Sequence, residues 1–170
     1  METINGLQVT SYGLPEALDW VASQSRWAER KGKLPRGRGL GLGCSHFVSG
    51  AAKPVQWTGQ LDATVTMRLD FDGNVTVFTG ATEIGQGSST VVAQVATEVL
   101  GLDHSRVRVV ATDSALTPKD NGSYSSRVTY MVGNATLAAA EKLKQSLLAA
   151  AARKLECDAA QVECHGEEYR

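Results

Sequence analysis

The stretch Gly80-Ala-Thr-Glu-Ile-Gly-Gln-Gly-Ser-Ser-Thr90 lies between a strand-like run and a strongly helical one, so the chain must pass there from extended to helical within a few residues. Gly80 and Gly85 have the spacing of a phosphate-binding loop, but Gln86 stands where a nucleoside-triphosphate loop carries its lysine. The helix that follows aims free backbone N–H groups, and the positive end of its dipole, at whatever fills the loop. An anion suits that position. Without the lysine and a metal-holding hydroxyl in register, the loop fits a cofactor's phosphate held in place better than a phosphate in transfer. The plainer reading is that the glycines only turn a strand tightly into its helix.

The rest of the pattern sets this loop in an α+β fold. Leu14 and Pro15 open a helix bearing Leu18, Trp20, Val21 and Trp27, which ends in a basic link from Lys31 to Arg38, and six Lys or Arg residues fall between Arg26 and Arg38. That link reads either as a patch for a partner's phosphates or as a solvated connector. Gly37, Gly39, Gly41 and Gly43 alternate with side-chain-bearing residues, which predicts a strand with one bare face for close packing. Residues 63–71 and 75–78 predict a β-hairpin around Asp72-Gly73-Asn74.

A helix follows from Ser88 to about Leu100, capped by Ser88 or Ser89, striped with Val91, Val95 and Val99, and ended by Gly101. Val107 to Ala111 reads as a buried strand, and a long helix is predicted from about Val132 to Leu155 with a stripe of Leu137, Ala140, Leu143, Leu147 and Ala151. The expected architecture is a two-layer α/β sandwich, its mixed sheet including a hairpin and its helices on one face. Residues 1–38 form an N-terminal helix and linker, and 39–170 the main domain.

A second segment, 113–129, carries more polar chemistry than a connection needs. Ser114, Thr117, Ser123, Ser125, Ser126, Arg127 and Thr129 precede the second long helix as the Gln86 loop precedes the first. Hydroxyls and an arginine fork are good partners for phosphates and carbonyls. If both helix starts share one end of the sheet, the two loops converge on one elongated ligand. Otherwise the serines only satisfy their own loop's backbone.

Composition closes several routes. A net charge of -1 gives no bulk attraction to nucleic acid or membrane surfaces, and no apolar run approaches the roughly 20 residues of a membrane span. No secretion signal is seen. Cys44, Cys157 and Cys164 lack Cys-x-x-Cys spacing, which favours reduced thiols in a cytoplasm over disulfides or zinc. His46, His104 and His165 are scattered, there is no Gly-x-Ser-x-Gly elbow, and Glu83 has no acid partner, so a loop or capping role suits it. No residue is assigned a catalytic or metal-ligating role. The residues alone predict a chain that holds a phosphorylated ligand without performing complete chemistry.

Thr82-Glu-Ile-Gly-Gln-Gly87 with Gln94-Val-Ala96 and Glu98-Val-Leu-Gly101, then Val107-Arg-Val-Val-Ala-Thr-Asp-Ser114 and Ser123-Tyr-Ser-Ser-Arg-Val-Thr129, resemble the molybdopterin-binding subunits of the xanthine oxidase family. Within that family, the wording from Leu116 to Arg127 is most similar to the large subunit of 4-hydroxybenzoyl-CoA reductases. The resemblance implies a cofactor of the molybdopterin cytosine dinucleotide type. It implies that Gly85, Gln86 and Gly87 contact the pterin or its phosphates, and that Ser125, Ser126, Arg127 and Thr129 contact it from the other side.

It further implies partner subunits carrying 2Fe-2S clusters and FAD, and a small-molecule or CoA-thioester substrate. Family large subunits are several times longer, and the segments bearing their catalytic groups have no counterpart here. The chain is therefore expected to be one domain of a larger molybdenum subunit, inactive alone. An aldehyde, carbon monoxide or heterocycle dehydrogenase of the same family is the alternative substrate reading. Outside the family, the alternatives are an assembly module docking through residues 26–38 and a nucleotide-binding domain of unrelated fold.

Overall fold

The computed structural model describes residues 9, 11–45, 47, 63–165 and 168–170. They fall in two compact units, 1–46 and 47–170. In the first unit, helix α1 (Leu14–Ser25) carries Pro15 in its first turn and ends where Arg26 turns left-handed. A short helix α2 (Trp27–Arg30) follows. The basic link is mostly exposed, and Lys31 lies over the Trp27 ring at 4.7 Å. The alternating glycines form no strand. A Cβ built at Gly39, Gly41 or Gly43 would meet nothing within 4 Å. A strand of this kind offers no side chain to bury, and each glycine loses the most backbone freedom on ordering, so alternation alone does not hold it extended.

The second unit is α+β, with a small mixed sheet. Strands β1 (Val65–Leu69) and β2 (Val75–Thr79) form the antiparallel hairpin, and β3 (Val107–Ala111) lies parallel to β2, giving the order β1-β2-β3. The hairpin closes on Gly73 at φ +79, with the Asp70 and Asn74 backbones joined at 2.8 Å. Helix α3 (Ser88–Leu100) connects β2 to β3, and α4 (Val128–Leu155) follows β3. A two-residue hairpin, β4 (Cys164–His165) with β5 (Glu168–Tyr169), ends the chain. Among the described residues no helix is long and apolar enough to cross a membrane.

The registers put Val65 and Met67, Val75 and Val77, and Val107 and Val109 on one face of the sheet. There they pack with Val92, Ala96, Leu100, Val132 and Ala140 of α3 and α4. The buried stripe of α3 is rotated from the predicted one, whereas in α4 Ala140 and Leu143 of the predicted stripe do pack in the core. In α3 the inward residues are Val92, Ala93, Ala96 and Leu100, while Val91, Val95 and Val99 are only half-buried. In α4 they are Val132, Gly133, Thr136 and Ala140, and Leu137 faces outward at 39% exposure. Small residues win these faces because they let the helices approach the sheet and each other closely.

Candidate cofactor-binding site

Because β2 and β3 are parallel neighbours, the segments leaving their carboxyl ends, 80–87 and 112–127, emerge at one rim of the sheet. That is the usual place for a ligand in such an arrangement. The two loops touch. A Cβ on Gly80 would fall 2.4 Å from the Pro118 carbonyl oxygen and 2.9 Å from Asp120 Cβ, so only glycine lets the second loop cross here. Ser123 Oγ donates to the Thr82 carbonyl at 2.7 Å, joining loops 41 residues apart. Gln86 Nε2 donates to the same carbonyl at 2.9 Å, while Gln86 Oε1 accepts from the Ile84 amide at 2.6 Å. Thr82 thus presents one carbonyl, with its two lone pairs, to a residue from each loop.

The first loop is organised by Glu83. Its Oε1 accepts from the Gly85 and Gly87 amides, each at 2.9 Å. Its Oε2 accepts from Ser88 Oγ at 3.1 Å and the Ser89 amide at 3.2 Å. Gly85 (φ +98) and Gly87 (φ +77) supply the left-handed backbone this wrapping requires. The α3 cap is therefore Glu83, and neither Ser88 nor Ser89 caps the helix: the N-cap residue is Gly87, with no side-chain cap bond of its own. Hydrogen bonds from the Gly87 and Ser89 amides hold the Glu83 carboxyl down at about 2.

The sign follows from linkage: with a folded value below the ordinary 4.5, the contribution of this crown is complete above about 4.5 and is lost as pH falls toward 2. A carboxyl-detected NMR titration of Glu83 is expected to give a midpoint near 2, with the Gly85 and Gly87 amide shifts following it. A midpoint at the ordinary value would mean that the crown is not formed in solution.

In the second loop Arg127 points into the protein. It is 2% exposed, and its Nη1 donates to Asp120 Oδ1 at 2.9 Å and to the Gly122 carbonyl at 2.8 Å. Asp120 Oδ1 also accepts from the Gly122 amide at 2.7 Å, an Asx turn, and the guanidinium lies 5.6 Å from the Tyr124 ring centroid. Ser125 (φ +50) and Ser126 (φ +54) are consecutive non-glycine residues in the left-handed region. Such strain costs about 1–3 kcal/mol per residue and gathers at functional sites. Neither hydroxyl is engaged by another side chain or backbone group among the described residues.

Between the loops lies a pocket of about 410 Å³, within the range that holds small ligands. Gln86 lines it from the first loop, and Ser125, Ser126, Arg127 and Thr129 from the second. Thr129 reaches it because α4 begins at Val128, one turn earlier than predicted. Gly85 and Gly87 shape the loop without lining the pocket. Of the histidines, His104 lies in an exposed turn before β3, His46 lies outside the described residues, and the same is true of the His165 side chain. Among the described residues no group of three or more His, Cys, Asp or Glu could hold a metal ion.

Residues 14–170 match the family model described as molybdopterin cofactor-binding domain. The chain belongs to this family. The xanthine dehydrogenase molybdenum-binding subunit of Escherichia coli O157:H7 is 35% identical over 156 residues, covering 88% of this chain and 20% of that protein. The nicotine 6-hydroxylase large subunit of Paenarthrobacter nicotinovorans is 34% identical over 149 residues, covering 84% and 18%. The solved reconstituted CO dehydrogenase from Oligotropha carboxidovorans superposes with a TM-score of 0.60 at 29% identity, over 64% of this chain and 13% of that one. The chain thus spans about a fifth of the length of the curated relatives it matches.

For a molybdopterin-binding domain the pocket has a suitable donor set. A pterin ring is dense in amide-like donors and acceptors, and the wall offers one carboxamide and several hydroxyls that can act as either. Asp120, the partner that keeps the Arg127 charge inside, and the Thr82 carbonyl are the members sequence reasoning missed. An Asp-Asn-Gly run shortly before an arginine was the available sign of the first.

Proposed function

We propose that this chain holds molybdopterin, in its cytosine dinucleotide form, as one domain of a larger molybdenum subunit. The observation that carries the reading is the shared pocket: Gln86 and the Ser125-to-Thr129 wall meet at one rim in a chain of this family. Gln86 would present its amide to the pterin, and the hydroxyls of Ser125, Ser126 and Thr129 would bind ring heteroatoms or phosphate. Gly85 and Gly87 serve by backbone conformation, and Arg127 by holding its loop. When bound, the molybdenum centre supplies the two-electron chemistry, and this chain contributes binding and orientation. The catalytic groups would come from the rest of the subunit, and the electrons would pass through 2Fe-2S and FAD partners.

The substrate class is inferred from relatives. Xanthine dehydrogenase and nicotine 6-hydroxylase point to oxidation of heterocycles, with an aldehyde or carbon monoxide as near alternatives. A 4-hydroxybenzoyl-CoA reductase role is the narrower reading and rests on residues 116–127 alone. We also infer a two-layer arrangement, with α3 and α4 covering one sheet face, and a cytoplasmic setting suited to free thiols at Cys44, Cys157 and Cys164.

The test is cofactor content. In the purified complete complex, Gln86→Ala is expected to lower molybdenum and cytosine nucleotide per protein, with roughly fivefold weaker retention for one lost hydrogen-bonding side chain. Unchanged content would remove Gln86 from the site.

A further inference from the structure

Asn121-Gly122, in the second loop, is a pair of neighbours with a reaction of its own. Glycine has no side chain to obstruct its amide nitrogen, so in a pliant chain that nitrogen reaches the side-chain carbonyl carbon of a preceding asparagine. The nitrogen gives up its proton and bonds to Cγ, the bond from Cγ to Nδ2 breaks, and ammonia leaves with that proton. A succinimide ring remains. Water then opens the ring at either carbonyl, giving aspartate or the isoaspartate whose main chain runs through the side-chain carbon. Water is the only co-reactant, and nothing is oxidised or reduced.

The fold holds Gly122 by both of its backbone groups. Its amide donates to Asp120 Oδ1 at 2.7 Å, and its carbonyl accepts from Arg127 Nη1 at 2.8 Å. The two side chains that hold it are each 1% exposed and bonded to one another at 2.9 Å. Attack on Asn121 requires the Gly122 nitrogen to turn toward Cγ and to lose the proton that Asp120 accepts. The nitrogen anion formed in place would face a carboxylate oxygen, which opposes its formation. Both bonds involve a charged partner, the stronger class of hydrogen bond. Asn121 itself is half-buried.

We propose that Asn121 is a latent modification site, kept from deamidation by the Asp120–Arg127 pair and released to it whenever the second loop opens. The product prevents the loop from closing again. A new carboxylate stands next to Asp120, whose charge one arginine already balances, and like charges so placed repel. The isoaspartate also adds a main-chain carbon between Asp120 and Gly122, so the amide and carbonyl of Gly122 no longer meet their two partners. Opening is thereby made permanent, and the pocket wall from Ser123 to Thr129 loses its fixed place. The inference concerns the loop alone and does not rest on the cofactor reading.

The experiment incubates the 170-residue chain at mildly alkaline pH, native and in urea, and follows Asn121 by peptide mapping with mass spectrometry. Asn5-Gly6 is the other Asn-Gly pair of the sequence, so the map, and not the intact mass, places the change. Deamidation at Asn121 is expected to run about a hundredfold slower in the native chain than in urea, the combined hold of two hydrogen bonds to charged groups. Hydrogen exchange of the Gly122 amide in the native chain should be slowed with it, because both processes need release of the same N–H. A double variant, Asp120→Ala with Arg127→Met, removes both holds together with the buried charge. It is expected to react near the urea rate while still folded by circular dichroism.

Equal rates in the native chain and in urea would overturn the proposal. So would a Gly122 amide that exchanges freely while Asn121 stays intact, a reading that needs no variant to fold. A folded double variant as protected as the wild type would do the same. The deamidated fraction, separated by ion exchange, is expected to unfold at a lower temperature than the unmodified chain. A fraction that unfolds with the unmodified chain would show that the loop closes again after reaction, against the proposal.

Discussion

Asp120→Ala is expected to destabilise the chain by about 3–5 kcal/mol, the cost of leaving a buried arginine without its counter-charge. Arg127 is fully enclosed, and Asp120 Oδ1 receives both its guanidinium and the Gly122 amide. Truncation therefore removes the carboxylate that both groups share. Urea unfolding followed by circular dichroism reads the loss directly. Asp120→Asn should fall between wild type and alanine, since the amide oxygen still accepts but carries no charge. Pairing Asp120→Ala with Arg127→Met removes the cation as well, and the double variant is expected to recover part of the stability lost by the single one. If Asp120→Ala unfolds within about 1 kcal/mol of wild type, the pair does not hold the second loop.

Gly80→Ala is the second large effect. The added methyl would lie 2.4 Å from a backbone carbonyl oxygen, and a backbone neighbour cannot swing aside as a side-chain tip can. The second loop must move away from the first, at about 1–3 kcal/mol for overpacking. The displacement acts where Ser123 reaches Thr82, so the variant should also lose the tie between the loops and, with it, the pocket. Thermal unfolding measures the first consequence. Cofactor content of the assembled complex measures the second, and both should fall together. A Gly80→Ala protein with wild-type stability would show that the contact is relaxed in solution.

Much of the fold was legible because its signals are local. The hairpin around Gly73, the strand at Val107–Ala111, Pro15 in the first helix and Gly101 after α3 each follow from backbone chemistry within a few residues, and each appears in the structure. What depended on neighbours was read less well. The buried face of α3 rotated toward Val92, Ala93, Ala96 and Leu100, and that of α4 took in Val132, Gly133 and Thr136 beside the predicted Ala140, because a helix face is chosen by what it packs against. The alternating glycines predicted a strand whose packing partner no pattern can supply.

At the site, the sequence left the convergence of the two loops conditional, and the parallel pairing of β2 and β3 decides it. The inward turn of Arg127 was not. Whether an arginine meets a ligand or a buried aspartate depends on a contact seven residues away, and the two outcomes look alike in one dimension. The wrapping of Glu83 was readable only as a capping role, because the number of donors it collects depends on the left-handed glycines around it.

The three-stranded order leaves β1 and β3 each with a flank that no described strand covers. A strand flank without a paired neighbour is a template for further pairing. The sheet can therefore grow sideways in either direction without disturbing the rim, because new strands would join along the flanks while the loops project from one end. Segments elsewhere in a longer polypeptide could dock there and stiffen the platform beneath the pocket.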